Sequence, residues 1–534
     1  MKNLLLPFLL LISSFQLFSQ GSFQKTYDFG DDYGNNVKKG NKAFFVAGST
    51  SKAGAGSYDA MLMKFDTLGN LQWEKQVGGS NFEAGRALTS FQDGYIVAGS
   101  TNSYTVSPKN DAVISFFQSD TGKYEGSETI GFDSLAEQAL DVTSIGDTAL
   151  LIIGTTEAND INGKTNMFII RTDNQAGPLW MRTFGTVNGN EKGLKIFNVP
   201  GPGFIGMGTS DAGGAGMSDA YIVNFDDSGH ASNQILIGAA GDDDGRVFMI
   251  NNNEIIIGGN TGSTSGPNRQ NIFITALNPG NLSIIWSKTY GGDSATSLQS
   301  INVDNTDGNL VVGGSTPKFG AAGSAGLLFK VDSANGNVNW AKLIDGPGDD
   351  FIGGTQTLND GSTVITGYSN SGSPNNNVYL ARTNTTGALC QNTATLTLPS
   401  LNFTPSIVGP NVANHRDSAV AFIVTQKMMT LNTYSAITKD LCASTGIRTL
   451  ATKNNTIQIY PNPTNGRLFI ESAFGWSNNV NMSVYNMVGA EVFTKTIAAG
   501  TKDFNIDLSG SPKGMYIITF NDGNSITTEK VSLN

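Results

Sequence analysis

Seven short apolar runs in this chain end alike: VAGST, VAGST, IIGTT, GMGTS, IGGNT, VGGST and ITGYS. Their glycines, Gly48, Gly99, Gly154, Gly208, Gly259, Gly314 and Gly367, recur every 51 to 55 residues. A second marker follows in each unit at Asp66, Asp120, Asp173, Asp226, Asn278, Asp332 and Asn384, every 52 to 54 residues. A third pairs an aromatic with a glycine five residues on, as in Trp73/Gly78, Trp180/Gly185 and Trp286/Gly291, with Trp340 nearby. Three independent markers on one period fix a repeat architecture before any single motif is considered.

Each unit reads as four strands. In the second unit they are ALTSF (87–91), YIVAGS (95–100), DAVISFF (111–117) and KYEGSETI (123–130). Asp93-Gly94 reads as the hairpin between the first two, because glycine accepts a positive φ. Asp-x-x-Gly turns such as Asp66–Gly69 and Asp226–Gly229 join the third and fourth, Asp starting the turn by accepting the amide two residues on. A four-stranded meander of about 53 residues is the signature of a β-propeller blade. A β-helix needs shorter coils, and sandwich domains need about 100 residues each.

The strand count predicts how the ring closes. FQKTYDFG (23–30) matches a fourth strand, and none follows VYLARTN (378–384). The expectation is an all-β chain: a seven-bladed β-propeller of four-stranded blades over 21–387, its N-terminal strand closing the last blade and so removing a sheet edge, then a small β-sandwich. The region 22–387 resembles the Gly-rich propeller repeats of secreted Bacteroidetes surface proteins, a likeness that speaks to fold and not to activity.

Composition narrows the partners. Lys and Arg number 33 against 44 Asp and Glu, giving a net charge of −11. Nucleic acid and anionic membranes need clustered cations, so neither is an expected partner. Two His and two Cys do not make a multi-ligand zinc or redox site. Glycine contributes 65 of 534 residues, about 12% against an average of about 7%, as expected of many tight turns.

The two ends carry addresses. Residues 1–20 have a Lys, an apolar run from Leu4 to Ile12 and small polar residues after it, the layout of a signal peptide. That run falls short of the roughly 20 residues that cross a bilayer, and no later stretch is apolar enough to do so. Residues 456–534 alternate apolar positions (Ile457, Ile459; Leu468, Ile470) between turns at Asn465-Gly466 and Val488-Gly489, which reads as a small antiparallel sandwich. Tyr460-Pro461-Asn462-Pro463 with Gly466, Val484-Tyr485-Asn486 with Gly489, Gly514-Met515-Tyr516 and Lys530-Val531 resemble the C-terminal sorting domain of the Bacteroidetes type IX secretion system. The resemblance implies an Ig-like sandwich read by the export machinery, passage through the periplasm, and release or attachment at the cell surface.

Residues 388–455 match neither part and read as a strand-rich spacer with a linker over 443–455. They hold Cys390 and Cys442, expected to pair in an oxidising compartment. Neither cysteine has a histidine close in sequence.

Chemistry, if any, is expected where loops vary. The second-to-third strand loops, such as 49–59, 209–219 and 261–271, are long, polar and Gly-rich, and variable loops on a rigid scaffold are where binding resides. Asp32, Glu83, Glu137, Glu191, Asp243 and Asp349 end the crossovers between units. Around one mouth they would supply oxygen ligands for Ca²⁺; the structural alternative, favoured here, has each one bonding nearby backbone amides. Asp59, Asp111 and Asp219, with Asn166, Asn271 and Asn377, open third strands and read as structural. Asp304–Gly308 resembles a calcium loop but lacks its closing Glu, so it reads as a turn. The repeat Trp residues read as packing between blades. His230 and His415 stand beside no nucleophile motif. The expected protein is a monomeric, non-enzymatic propeller binding a glycan or protein through its long-loop face. The alternatives are a polysaccharide hydrolase or lyase using mouth carboxylates, and a purely structural surface protein.

Overall fold

The computed structural model of the chain describes residues 22–442 and 457–534, except 52–56, 106–108, 133, 159–162, 187–188, 200–202, 264–269, 292–294, 318–322, 392, 409–414, 420–421, 473–475, 477–478, 488 and 522–525. The expected leader, the linker at 443–455, Val488 and much of the 49–59 and 261–271 loops lie outside the described residues. All regular structure described is β-strand. The chain divides into two compact units, Met1–Cys442 and Ala443–Asn534.

The first unit holds seven five-stranded antiparallel sheets. Four strands are sequential in sheets one to six, as in Asp32–Gly40, Ala43–Thr50, Asp59–Asp66 and Leu71–Gly78 for the first, and three in the seventh. The inner strands of sheets two to seven are Glu83–Phe91, Glu137–Ile145, Glu191–Asn198, Asp243–Asn251, Ser297–Val303 and Asp350–Thr357. In the seventh sheet Phe23–Asp28 pairs antiparallel with Asn377–Arg382, the pairing expected from the strand count. Each sheet packs on the next, and the inner strand of the first packs on the seventh. Seven apolar layers fill the seams, one per neighbouring pair.

The repeat glycine is explained by contact. Every inner strand carries a β-bulge two or three residues in. The carbonyl just before the bulge presses on the second-strand glycine. A Cβ on Gly99 would stand 1.6 Å from the Ala84 oxygen, and one on Gly208 would stand 1.7 Å from that of Lys192. The fourth-strand tryptophans cover the turn of the next sheet: Trp73 Nε1 donates to Asp120 O, Trp180 Nε1 to Asp227 O and Trp286 Nε1 to Ser333 O. Phe23 takes that place against Gly69. The Asp66 carboxylate accepts from the amides of Leu68 and Asn70, as its turn requires. The first-to-second strand hairpin differs from expectation. In the second sheet the loop is Gln92-Asp93, the positive φ belongs to Gln92, and Gly94 already pairs with Phe91.

The segment read as a separate spacer is instead the fifth strand of every sheet. Thr393–Thr395 pairs with the outer strand of sheet six and Ser400–Asn402 with that of sheet five. Ser406–Val408, His415–Ala419, Ile423–Lys427 and Thr430–Asn432 then take sheets four, three, two and one. Ile437–Asp440 finishes on the seventh, beside Phe23–Asp28. Between these strands apolar side chains enter the seams: Leu398 between sheets five and six, Phe403 between four and five, Phe422 between two and three, Met429 between one and two. Cys390 and Cys442 are disulfide-bonded as expected.

The second unit is two sheets over one core, a three-stranded sheet (Ile457–Tyr460, Arg467–Ser472, Asp503–Asp507) and a four-stranded one ending in Ile526–Leu533. Asn462 lies between Pro461 and Pro463 and ties the ends together: its Nδ2 donates to Lys530 O (2.7 Å) and its Oδ1 accepts from Ser532 N (3.0 Å). Gly466 has φ +129° and faces Ser509; Gly489 (φ +83°) closes a turn on Asn486; Tyr516 is buried and donates to Pro512 O; Gly514 opens the strand carrying Tyr516.

Candidate functional site

The acidic crossover residues sit at the starts of inner strands, with one correction. Asp32, Glu83, Glu137, Glu191 and Asp243 begin theirs and are buried. In the seventh sheet the equivalent residue is Asp350, not Asp349, because that crossover is a residue longer than the spacing suggests. Asp350 Oδ2 accepts from Gly346 N (2.5 Å), as Glu83 Oε2 does from Gly79 N (2.7 Å) and Asp243 Oδ2 from Ala239 N (2.7 Å). Asp349, part-exposed, accepts from Ser324 N. Thr101 Oγ1 donates to Glu83 and Thr156 Oγ1 to Glu137, each tying the inner strand to the end of its neighbour. Glu191 accepts likewise from Thr186 and Ser210. In the sixth sheet Thr296 replaces the carboxylate, accepting from Ile272 N and donating to Tyr290 O.

Each of these carboxylates is hydrogen-bonded within its own junction. Among the described residues no three His, Cys, Asp or Glu come together as a metal cage. Desolvation at the junctions outweighs the hydrogen bonds and raises the pKa to about 6 for Asp32 and Asp243, and about 7 for Glu137 and Glu191. Asp59, raised to about 7 by burial and then by Glu83, crowds the same face of Gly78 as Glu83 does. Asp111, Asn166, Asp219 and Asn271 are placed in the same way against Gly131, Gly185, Gly238 and Gly291. Asn377 opens its third strand and is buried. Asp304–Gly308 is a turn, and the cation it holds is Lys330, whose Nζ lies 2.7 Å from Asp304 and 2.6 Å from Asp307. His230 is exposed and meets Arg182. The side chain of His415 lies outside the described residues.

The cavity that stands out is lined by the inner strands of all seven sheets and measures about 610 Å³. The bulges build its wall. A bulge re-aims a side chain, and the seven bulged residues, Asn35, Arg86, Leu140, Leu194, Arg246, Gln299 and Gly353, all line the cavity. Adjacent strands are bonded through this wall: Asn35 Nδ2 donates to Gly85 O (2.7 Å) and Asn302 Nδ2 to Thr355 Oγ1 (2.7 Å). Asp141, the single carboxylate among the described lining residues, accepts from Ile196 N (3.1 Å) and pairs with Lys195 (3.4 Å).

An aromatic row leaves this cavity. Phe351, in its wall, stacks on Tyr368 at 5.2 Å and 13°. Tyr368 meets Tyr33 edge-on at 5.1 Å, Tyr33 lies 6.0 Å from Tyr58, and Tyr58 meets Phe82 at 6.1 Å. All five rings are half-buried. Asp31 fixes two of them by accepting from the hydroxyls of Tyr58 (2.5 Å) and Tyr33 (3.3 Å). The row lies where inner strands begin and second strands end, the side of the long loops. Sequence reading missed it because its members come from residues 33 to 368 and share no motif. The bulged residues were closer to hand: each lies at or next to the residue after the first-strand Gly or its substitute.

Residues 458–534 match the family described as the secretion system C-terminal sorting domain. The protein is accordingly exported, to be secreted or attached to the cell surface. A comparison with curated proteins finds no match. Two solved structures of Pyrococcus horikoshii acylaminoacyl peptidase, an orthorhombic crystal form and an uncomplexed form, align with a TM-score of 0.39 and 11% identity. The alignments cover 68% and 69% of this chain and 52% and 53% of theirs. The chain spans about half the length of those peptidases. No helix among the described residues is long and apolar enough to cross a membrane.

Proposed function

We propose that the protein is an exported, monomeric, seven-bladed β-propeller that binds a glycan, delivered by its type IX sorting domain. Residues 21–387 make the ring, 388–442 its outer strands, and 456–534 the address. The glycan lies on the aromatic row and enters the axial cavity. The observation that carries this reading is the unbroken run from Phe351 in the cavity wall through Tyr368 and Tyr33 to Tyr58. Partly exposed aromatic rings suit the apolar faces of sugars, and the amide-rich wall suits their hydroxyls. The junction carboxylates serve the scaffold, which favours binding over acid–base cleavage. A glycan array probed with the full exported chain tests this. Binding that falls at least about tenfold in Tyr33→Ala and Tyr368→Ala, with melting unchanged, is expected from the loss of one stacked ring. Binding indifferent to both substitutions, or a protein ligand only, overturns it.

A further inference from the structure

The cavity is electrostatically unlike the rest of the molecule. The chain carries −11 overall, yet the charged residues lining the cavity are Lys38, Arg86, Lys195, Arg246 and Asp141. Two of the four cations are neutralised. Lys195 pairs with Asp141, and Arg246 holds Asp244 through Nε and Nη2 at 2.9 to 3.1 Å. Lys38 and Arg86 have no hydrogen bond or ion pair among the described residues. They stand on the inner strands of adjacent sheets, Arg86 at its bulge and Lys38 just beyond the bulge of the first sheet.

We propose that the cavity takes an anionic ligand, the acidic end of an oligosaccharide bearing carboxylate or sulfate, with Lys38 and Arg86 as its counter-charges. This rests on the glycan-binding reading and adds the class of glycan. Both side chains line the cavity and stay exposed to its solvent. The protein packed around them lowers the Lys38 pKa by desolvation, with Asp141 opposing and Lys195 adding to the effect, and lowers that of Arg86 by desolvation alone. A cation with no partner of its own is open to an entering acid group, and the ion pair is charge-assisted as that group displaces water from the cavity. A low-dielectric bore also focuses such a field and draws anions inward. The acidic exterior repels long polyanions such as nucleic acid, so a short acidic segment fits better than a polymer laid across the surface. Arg86 offers a planar fork matched to carboxylate or sulfate, and Lys38 a point charge.

The test is calorimetric titration of the full exported chain with a galacturonic acid trimer, sulfated maltotriose and neutral maltotriose, at low and high salt. Acidic trimers are expected to bind at least about tenfold more tightly than the neutral one, and to lose about tenfold or more in Lys38→Gln/Arg86→Gln. Arg86→Lys should retain part of that affinity. The ranking of the carboxylated and sulfated trimers identifies the acid group. Equal binding of neutral and acidic trimers, or acidic binding that survives Lys38→Gln/Arg86→Gln, overturns the inference and leaves the glycan reading standing. Failure of every saccharide to bind overturns both. The melting temperature of each variant separates lost binding from lost folding.

Discussion

Cys390 and Cys442 lie 52 residues apart in sequence, yet their Cα atoms are 5.3 Å apart and their sulfurs are bonded. The chain between them visits the outer edge of all seven sheets, from the sixth down to the first and then the seventh. The disulfide therefore closes a covalent hoop about this belt of outer strands. It joins the start of the circuit, near Leu389 in the seam of sheets six and seven, to its end at Leu441 in the same seam.

Closing a loop of this size removes unfolded-state entropy worth about 4 kcal/mol. Cys390→Ser/Cys442→Ser, or reduction of the wild type, should lower stability by that order. Because each belt strand is short and held at one edge, the loss should begin there. Limited proteolysis followed by mass spectrometry should find the first cuts within 391–441 in the reduced protein and not in the oxidised one. Identical cleavage in both would show that the hoop is not what holds the belt.

The junction carboxylates set a pH dependence of uncommon sign. Asp32, Asp59, Glu137, Glu191 and Asp243, together with Glu74, which sits on the outer strand of the first sheet and accepts from Tyr434 N, are raised to between about 6 and about 7, burial being the first cause in each. The folded state then binds more protons than the unfolded one between the ordinary carboxylate range and pH 7, so stability falls as pH rises through that window. Melting temperature should be higher near pH 5 than near pH 8. Glu137→Gln, which keeps the hydrogen-bonding shape without the charge, should flatten the slope. A melting temperature that climbs with pH over this interval would contradict the junction geometry.

The repeat glycines should be intolerant of any side chain. In Gly99→Ala the new methyl would meet the Ala84 carbonyl at 1.6 Å, and backbone cannot step aside as a flexible side chain can. The expected loss exceeds about 3 kcal/mol, the upper range of overpacking. Gly280→Ala, where the nearest atom is the Asn278 side chain at 3.3 Å, should change stability by less than about 0.5 kcal/mol. Thermal melts of the two variants against wild type give the comparison.

This close approach is also why so much of the fold was legible. Gly48, Gly99 and their equivalents are forced seven times by the same bulge, so the period survives drift elsewhere. Phe23 was placed correctly because it meets Gly69 as Trp180 meets Gly229, and one contact leaves one pattern. The belt had no such signature. Its strands are three to five residues long, too short for alternation to register, and their partners lie up to hundreds of residues away. The site was hidden for a related reason. Asp349 and Asp350 differ by one step in a crossover of variable length, and only the structure says which turns inward. Phe351, Tyr368, Tyr33 and Tyr58 become neighbours only when the seventh sheet packs on the first. Lys38 and Arg86 face the cavity because of bulges whose orientation no periodicity reports.

The belt also decides where the exported cargo can be cut. A chain ending just after Cys442 keeps every outer strand, and Leu398, Phe403, Phe422 and Met429 stay buried in their seams. A chain ending at residue 387 loses all of them, each worth about 1.5 to 3 kcal/mol when fully buried, and leaves seven outer edges unpaired. The first truncation should melt close to the corresponding transition of the full chain, and the second should melt well below it or aggregate. Both lack residues 458–534, the sorting domain, so both should remain inside the cell envelope while the full chain reaches the surface or medium. Fractionation with melting curves reads the two effects apart. If the chain ending at residue 387 melts like the longer one, the belt is an accessory and not part of the fold's stability.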